Sequence, residues 1–279
     1  MAQPVALART EDHLIHSAHV GADFHLWIAH PIPGWSGPSP QPTRVLYLVD
    51  ADMCFGAAVD MTRLMHQLYG ELPPIMVVGI AYCGDDPAVH SQLRNRDLTP
   101  TSTAEYEATM EQMGAPPILP AGRRLGRAAD FLAFLRDEAR PYVEKTFGVG
   151  GVDSILFGSS LGGLFAVWTV LTAPDSFANY IAASPALWWD EEIAFGLERA
   201  MTRADTPAGL FLAAGDQEEN PNIPMLARFK LVSNTTRMHH ALAARHHPSL
   251  RLWSEIIAGE THTSVIPAAL TRGLRRLTR

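Results

Sequence analysis

The sequence predicts an α/β fold built on a mostly parallel β-sheet that is flanked by helices on both faces. Short apolar runs rich in Val, Ile and Leu alternate with longer segments of helical periodicity along most of the chain. Several of these runs contain almost no polar residues, which is typical of parallel strands buried on both faces. The N-terminal segments form a hairpin pattern instead, and we expect this antiparallel pair at one edge of the sheet.

The elements follow in chain order from these patterns. Two alternating segments flank a turn at residues 21–23, with Phe24, Leu26 and Ile28 on one face. A proline- and glycine-rich loop at 31–42 leads to the alternating part of the chain, where strands are predicted at 44–50, 74–82, 152–157, 177–184, 208–215 and 249–257. Helices are predicted up to residue 69, around Leu125–Leu135, at 161–172, 191–201 and 224–244, and from residue 265 onward.

We expect one domain over residues 1–279, because the chain shows no internal repeat and no interdomain linker. Residues 84–122 show no clear periodicity and contain five prolines. We call them the cap segment, and we expect them to form a shaped wall or cap beside a functional site.

Composition excludes several classes of partner. The formal net charge is −7 and no cluster of Lys and Arg is present, which argues against nucleic acid and anionic membranes as partners. No apolar run is long enough to span a bilayer, and the N-terminus has no apolar core of a secretory signal, so we expect a cytoplasmic protein. Cys54 and Cys83 are predicted to be free thiols. The oligomeric state is left open, with a homo-oligomer among the alternatives.

A G-x-S-x-G motif lies where a predicted strand meets a predicted helix. Ser160 is its central residue, between Gly158 and Gly162. In a nucleophile elbow the serine occupies a strained turn, and glycines two residues away on either side leave room for it. The pattern therefore predicts Ser160 as a nucleophile, whereas Ser159 lacks the flanking glycines. Neither a dinucleotide-binding nor a phosphate-binding loop fits, and no cofactor is expected.

A serine nucleophile needs a histidine base and an acid that orients it, in the chain order serine, acid, histidine for the α/β-hydrolase fold. His262 follows the last predicted strand and can reach the elbow. The acid is expected at Glu218, three residues after the strand-ending Gly215, with Asp216 and Glu219 as alternatives. The histidines near 239–247 show no metal-binding pattern, so no metal site is predicted.

The oxyanion of an acyl-transfer intermediate needs two backbone N–H donors. We expect one from Leu161, at the start of the helix after the elbow. The other is expected from Asp52, with Met53 as the alternative, in the segment after the first buried strand.

The sequence resembles the esterase-D-type α/β-hydrolases, and within them the bacterial esterases that open trilactone catecholate siderophores. The similarity covers nearly the whole chain and rests on the segments LYLVDADMCF, VVGIAY, RNRDLTP, GSSLGGLFA, SPALWWD and GETHTSVIPAALTRGLR. Ala51 stands where the family usually has glycine.

The resemblance implies Ser160 as nucleophile and His262 as base, and some members of the group work with this dyad alone. It also implies Arg96, Trp188 and Trp189 as substrate-binding residues. A structural pair with Asp97 is the alternative for Arg96, and a packed loop is the alternative for the tryptophans.

We therefore expect a serine carboxylic-ester hydrolase that forms an acyl-enzyme on a small-molecule ester, with siderophore-type lactones or aryl-acyl esters as the narrower substrate hypothesis. An acyltransferase, or an esterase of S-formylglutathione or feruloyl esters, would use the same residues. A non-catalytic binding module on the same scaffold is the third alternative.

Overall fold

The computed structural model describes residues 6–34, 40–104, 106–108, 118–119 and 124–279. The expected loop at 31–42 and the cap segment at 84–122 therefore lie partly outside the described residues, including three of the five prolines of the cap segment.

In this part of the chain, eight strands form one mixed sheet with the spatial order β1-β2-β4-β3-β5-β6-β7-β8. Strands β3 to β8 run parallel, while β2 pairs antiparallel with both β1 and β4. The mostly parallel sheet with an antiparallel hairpin at one edge is thus confirmed. The strands are β1 Thr10–Ser17, β2 Ala22–Ala29, β3 Arg44–Leu48, β4 Ile75–Tyr82, β5 Asp153–Ser159, β6 Asn179–Ala183, β7 Gly209–Gly215 and β8 Arg251–Ile257.

Helices cover both faces of the sheet. They are α1 Ala51–Gln67, α2 Pro87–Leu98, α3 Ala128–Phe134, α4 Arg140–Phe147, α5 Leu161–Thr172, α6 Trp189–Ala200, α7 Pro224–Ala227, α8 Leu231–Ala243 and α9 Val265–Leu277, with a π-helical turn, Leu135–Ala139, between α3 and α4. None of the helices in the described residues is long and apolar enough to cross a bilayer.

Two helix predictions need correction. The cap segment contains a regular helix, α2, whose start is capped by the Asp86 carboxylate, which accepts a hydrogen bond from the Ala88 amide at 2.9 Å. It has no apolar stripe, so periodicity did not reveal it. The helix predicted over 224–244 is divided into α7 and α8, and Lys230, with a φ of 51°, lies at the break because a left-handed residue cannot continue a right-handed helix.

Alternate residues of the strands pack into two apolar clusters, one on each face of the sheet. In β3, Val45 and Tyr47 belong to the cluster under α3 and α5, whereas Leu46 and Leu48 belong to the cluster under α1 and α9. All four are nearly inaccessible to solvent, so burial on both faces explains why this strand has no polar alternation. Cys54 and Cys83 are free, as predicted.

The parallel strands bring the chemically interesting segments to one edge of the sheet. Ser160 follows β5, Ser184 follows β6, the residues 216–219 follow β7, and the His262 loop follows β8. Since parallel strands end on the same side, these loops meet there.

Candidate active site

Ser160 occupies a strained turn between β5 and α5. Its φ of 57° and ψ of −113° lie in a region that L-residues rarely adopt. The turn is held on both sides, because the Ser160 amide donates to the Ala183 carbonyl at 2.9 Å and the Ser160 carbonyl accepts from the amides of Leu164 and Ala186 at 2.9 and 3.0 Å. The backbone thus fixes Ser160 in the geometry expected of a nucleophile elbow.

Each glycine around the elbow makes room for a particular neighbour. A Cβ on Gly158 would lie 2.2 Å from the Gly162 carbonyl oxygen, and one on Gly162 would lie 2.6 Å from an oxygen of the Asp50 carboxylate. A Cβ on Gly163 would lie 2.8 Å from the Ala183 carbonyl oxygen. The glycines therefore allow α5 to pack closely against β5, β6 and the Asp50 side chain just before α1.

Glu218 and His262 are brought together by the loops after β7 and β8. Nδ1 of His262 lies 2.9 Å from Oε2 of Glu218, whose side chain is fully buried. Because a carboxylate can only accept, the proton of this bond lies on Nδ1, which leaves Nε2 as the basic nitrogen. Among the hydrogen bonds of the described residues, none joins the Ser160 hydroxyl to the His262 ring. Catalytic bonds are often long in free enzymes and shorten when substrate binds.

The two other acids of this loop have different partners. Asp216 accepts a hydrogen bond from the amide of Gly259 at 2.9 Å, which ties the β7 loop to the loop that carries His262. Glu219 accepts bonds from the amide and the hydroxyl of Ser233, both at 2.6 Å. Of the three alternatives, Glu218 is the one in contact with His262. No three His, Cys, Asp or Glu side chains in the described ranges are grouped so as to hold a metal ion.

The two residues expected to supply oxyanion donors are both placed at helix starts. Leu161 is the first residue of α5, and Asp52 is the second residue of α1. Amides in the first turn of a helix have no partner within the helix. The Met53 amide instead donates to the Asp50 carbonyl at 3.1 Å, so that alternative donor is already engaged.

The Asp52 side chain is partly exposed to solvent. Its carboxylate accepts a hydrogen bond from the Tyr82 amide at 3.4 Å and lies 3.5 Å from Nδ1 of His90. Burial raises the pKa of Asp52 above its ordinary value, although the Tyr82 amide and His90 act in the opposite direction.

Arg94, which no sequence motif indicates as a site residue, contacts the elbow. Nε of Arg94 donates to the Asp50 carboxylate at 2.5 Å, and Nη2 donates to the Ser159 carbonyl at 2.9 Å. The Ser159 amide also donates to the same carboxylate at 3.4 Å. Burial alone would lower the pKa of Arg94, but the Asp50 carboxylate more than offsets this and raises it. Arg94 and Asp50 thus link α2, the start of α1 and the residue before Ser160.

Arg96 lies on a different face of α2 from Arg94. Two residues are about 200° apart on an α-helix, so Arg94 and Arg96 occupy different faces. Arg96 is buried, and its guanidinium donates two hydrogen bonds to the Asp97 carboxylate, at 2.6 and 2.8 Å. The structure therefore shows the structural pair that was the alternative interpretation of Arg96.

An aromatic cavity of about 700 Å³ lies between the cap segment, the start of α6 and the residues before α8. The Trp188 ring stacks on Phe229 with centroids 4.6 Å apart, and Tyr106 meets Trp189 edge to face at 4.7 Å. Trp189 is almost fully buried, and its indole N–H donates to the Thr101 hydroxyl at 3.1 Å. The cavity is lined by Ser102, Thr103, Ala104, Tyr106, Trp188, Trp189, Asp190, Glu191, Arg228 and Phe229.

The backbone before α6 connects this cavity to the elbow. Trp188 lies two residues after Ala186, whose amide donates to the Ser160 carbonyl at 3.0 Å. Burial raises the pKa of Tyr106, and the charge of Arg94 acts in the opposite direction. Trp188 and Trp189 are the cavity residues predicted from the sequence, whereas Tyr106, Arg228 and Phe229 were not predicted.

Known proteins resemble this chain along almost its whole length. Residues 17–250 match the Esterase family, described as "Putative esterase". The ferri-bacillibactin esterase BesA of Bacillus subtilis is 29% identical over 282 aligned positions, which cover 95% of this chain and 88% of BesA. A siderophore enterobactin esterase of Emericella nidulans is 30% identical over 265 positions, covering 85% of this chain and 82% of that protein.

Solved structures agree with these relatives. The BES protein from Bacillus cereus and the siderophore hydrolase EstA from Aspergillus nidulans each superpose with a TM-score of 0.80 at 25% identity, over 100% of this chain and 98% of theirs. The α/β-hydrolase fold is thereby confirmed, and the relatives support ester hydrolysis as the activity of the chain. With the family match extending over most of its length, this chain belongs to the Esterase family.

Proposed function

We propose that this chain is a serine carboxylic-ester hydrolase that forms an acyl-enzyme on Ser160. The observation that carries the proposal is the strained turn at Ser160, located at the same edge of the sheet as the Glu218–His262 pair. Buried Glu218 holds the imidazole through Nδ1, so Nε2 is available to take a proton.

In the first half-reaction, Oγ of Ser160 attacks the ester carbonyl carbon while Nε2 of His262 takes the hydroxyl proton. The negative oxygen of the tetrahedral intermediate is bound by the amides of Leu161 and Asp52. Collapse of the intermediate breaks the bond to the alcohol, which leaves with the proton from His262. In the second half-reaction, water loses a proton to the same nitrogen and attacks the acyl-serine, which releases the acid and the free serine.

The substitution Ser160→Ala tests the mechanism. It should lower kcat by roughly 10⁴-fold or more while the protein stays folded, because the nucleophile itself is removed. Hydrolysis of p-nitrophenyl esters gives the rates, and circular dichroism verifies the fold. Ser159→Ala is the matched control, since it removes the neighbouring hydroxyl of the motif, and it should retain most of the activity. Wild-type turnover by the Ser160→Ala protein would overturn the proposal.

We propose further that the acyl group is aromatic, as in siderophore-type aryl-acyl esters or lactones. The cavity offers aromatic faces from Tyr106, Trp188 and Phe229, and its volume is within the range of small-molecule sites. Relatives that are named as esterases of siderophores support the same substrate class. A panel of alkyl p-nitrophenyl esters, feruloyl esters, S-formylglutathione and a catecholate trilactone compares the alternatives. Preference for small alkyl esters would contradict this part of the proposal.

Arg228 is the cation that this cavity presents to an anionic or catecholate acyl group. Its guanidinium lies 4.6 Å from the centre of the Phe229 ring, and it has no ion pair with any acid in the described residues. Arg228→Gln should therefore reduce kcat/KM for acidic aryl esters about tenfold and change neutral esters little. Arg96→Gln is the comparison, because Arg96 is occupied by Asp97. A selective loss in Arg96→Gln, with none in Arg228→Gln, would return the role to Arg96.

A further inference from the structure

Ser184 combines strain, burial and a polar contact in a way that the proposed mechanism does not use. It follows the last residue of β6 and is completely buried. Its φ of 44° is in the left-handed region, where a residue other than glycine is disfavoured. Its amide donates to the Ala213 carbonyl at 2.6 Å, which fixes this backbone against β7.

The Ser184 hydroxyl donates to Glu218. The distance from Oγ to Oε1 is 2.5 Å, and the amide of Gly215 donates to the same oxygen at 2.7 Å. The other oxygen, Oε2, is the one that contacts His262. The two oxygens of the Glu218 carboxylate thus have different partners. Oε1 accepts from two donors, and Oε2 contacts the imidazole.

We infer that Ser184 is a positioning residue for catalysis, whose hydroxyl anchors Glu218 so that Oε2 stays directed at His262. This inference rests on the proposed function. A buried carboxylate needs donors to remain charged, and a hydrogen bond to the charged form favours it. Glycine would fit the left-handed backbone better, so the serine at this place contributes its hydroxyl at a conformational cost.

Two substitutions separate the hydroxyl from the backbone. Ser184→Ala removes the hydroxyl and keeps the strained φ, whereas Ser184→Gly removes the hydroxyl and relieves the strain. Ser176→Ala is the matched control, because Ser176 is also buried and its hydroxyl has no partner in the described residues. If Ser184→Ala fails to fold, Ser184→Gly still tests the inference.

Without this donor, Oε1 of Glu218 keeps only the Gly215 amide among its described donors, so the carboxylate can turn and Oε2 directs His262 less well. We expect kcat to fall roughly tenfold in both variants with KM little changed, because the base is less well oriented while the substrate cavity is intact. Ser176→Ala should keep the wild-type kcat and KM. A wild-type kcat in Ser184→Gly would overturn the inference.

The same assay distinguishes this failure from failure of the proposed function. If Ser160→Ala is inactive while Ser184→Gly behaves as wild type, only the role of Ser184 is withdrawn. If Ser160→Ala keeps its turnover, the proposed function fails, and the role of Ser184 is withdrawn with it.

Discussion

Asp50, which is buried, and Arg94, which is half-buried, place an ion pair against the backbone of Ser159, the residue before the proposed nucleophile. The pair also has a steric role, since the Asp50 carboxylate occupies the space that a side chain on Gly162 would need. At the residue scale, the elbow is thus supported by charges as well as by glycines.

Removing one member of this pair should be costly. Arg94→Leu leaves the Asp50 carboxylate buried without its partner, and we expect the free energy of unfolding to fall by about 3 kcal/mol or more. Urea denaturation measures the loss. The double variant Asp50→Asn, Arg94→Leu should recover part of it, because no unpaired charge remains. If the loss in the double variant equals the sum of the losses in Asp50→Asn and Arg94→Leu measured singly, the coupling is contradicted.

Asp52 gives a pH-dependent prediction. Burial raises its pKa above the ordinary value of 3.8, so between these two pKa values the folded state binds more protons than the unfolded state. The contribution of Asp52 to stability therefore decreases as pH rises through that window. Asp52→Asn does not titrate, and its stability relative to wild type should increase across the same window.

Urea denaturation at a series of pH values from about 3.5 upward measures this difference between Asp52→Asn and wild type. Asp85→Asn, at an exposed aspartate, is the control for the loss of a carboxylate. A wild type that gains stability relative to Asp52→Asn as pH rises would contradict the raised pKa.

At the scale of elements, close contact between two loops places the base. A Cβ on Gly215, the last residue of β7, would lie 2.2 Å from the Glu260 carbonyl oxygen in the loop that carries His262. The same loop is tied to β7 by the bond from the Gly259 amide to Asp216. The position of His262 thus depends on how tightly the ends of β7 and β8 pack.

Gly215→Ala should therefore displace the His262 loop. A shift of about 1 Å can lower activity by roughly 10²-fold, and we expect a loss of that order in kcat/KM with a smaller loss of stability. Gly196→Ala, in α6, is the control because a Cβ there meets no atom within 4 Å. That variant should keep full activity and gain stability by about 0.5–1 kcal/mol. Full activity in Gly215→Ala would show that the loop adjusts freely.

The sequence predicts Ser160 and Glu218 because each follows a strongly apolar strand whose end is easy to locate. It predicts His262 from its place between the last strand and the last helix. The other contributors come from elements without apolar periodicity. Arg94 lies on α2, which is held by buried polar groups, and Phe229 lies at the break between α7 and α8. Their contacts join distant parts of the chain, and local patterns cannot show which of two nearby arginines faces the elbow.

At the scale of the whole molecule, charge should influence how substrates approach. The formal net charge is −7, and the described residues of the cavity lining include Asp190 and Glu191 against one guanidinium, that of Arg228. An anionic ester is therefore repelled at long range, even though Arg228 can bind it locally.

Added salt should screen this repulsion. Between 10 and 150 mM NaCl, we expect kcat/KM for an anionic aryl ester to rise roughly two- to fivefold, while a neutral ester of the same size changes little. Steady-state rates for both esters across the salt series provide the measurement. A decrease with salt for the anionic ester would show that local attraction dominates over the net charge.

Covalent labelling of Ser160 tests the central claim most directly. The protein is treated with a fluorophosphonate, which reacts with activated serines, and the modified residue is located by peptide mass spectrometry. We predict one adduct per chain on Ser160, loss of ester hydrolysis in proportion to labelling, and no adduct in Ser160→Ala. An adduct on another residue with Ser160 unmodified, or full hydrolysis by the completely labelled protein, would contradict the account.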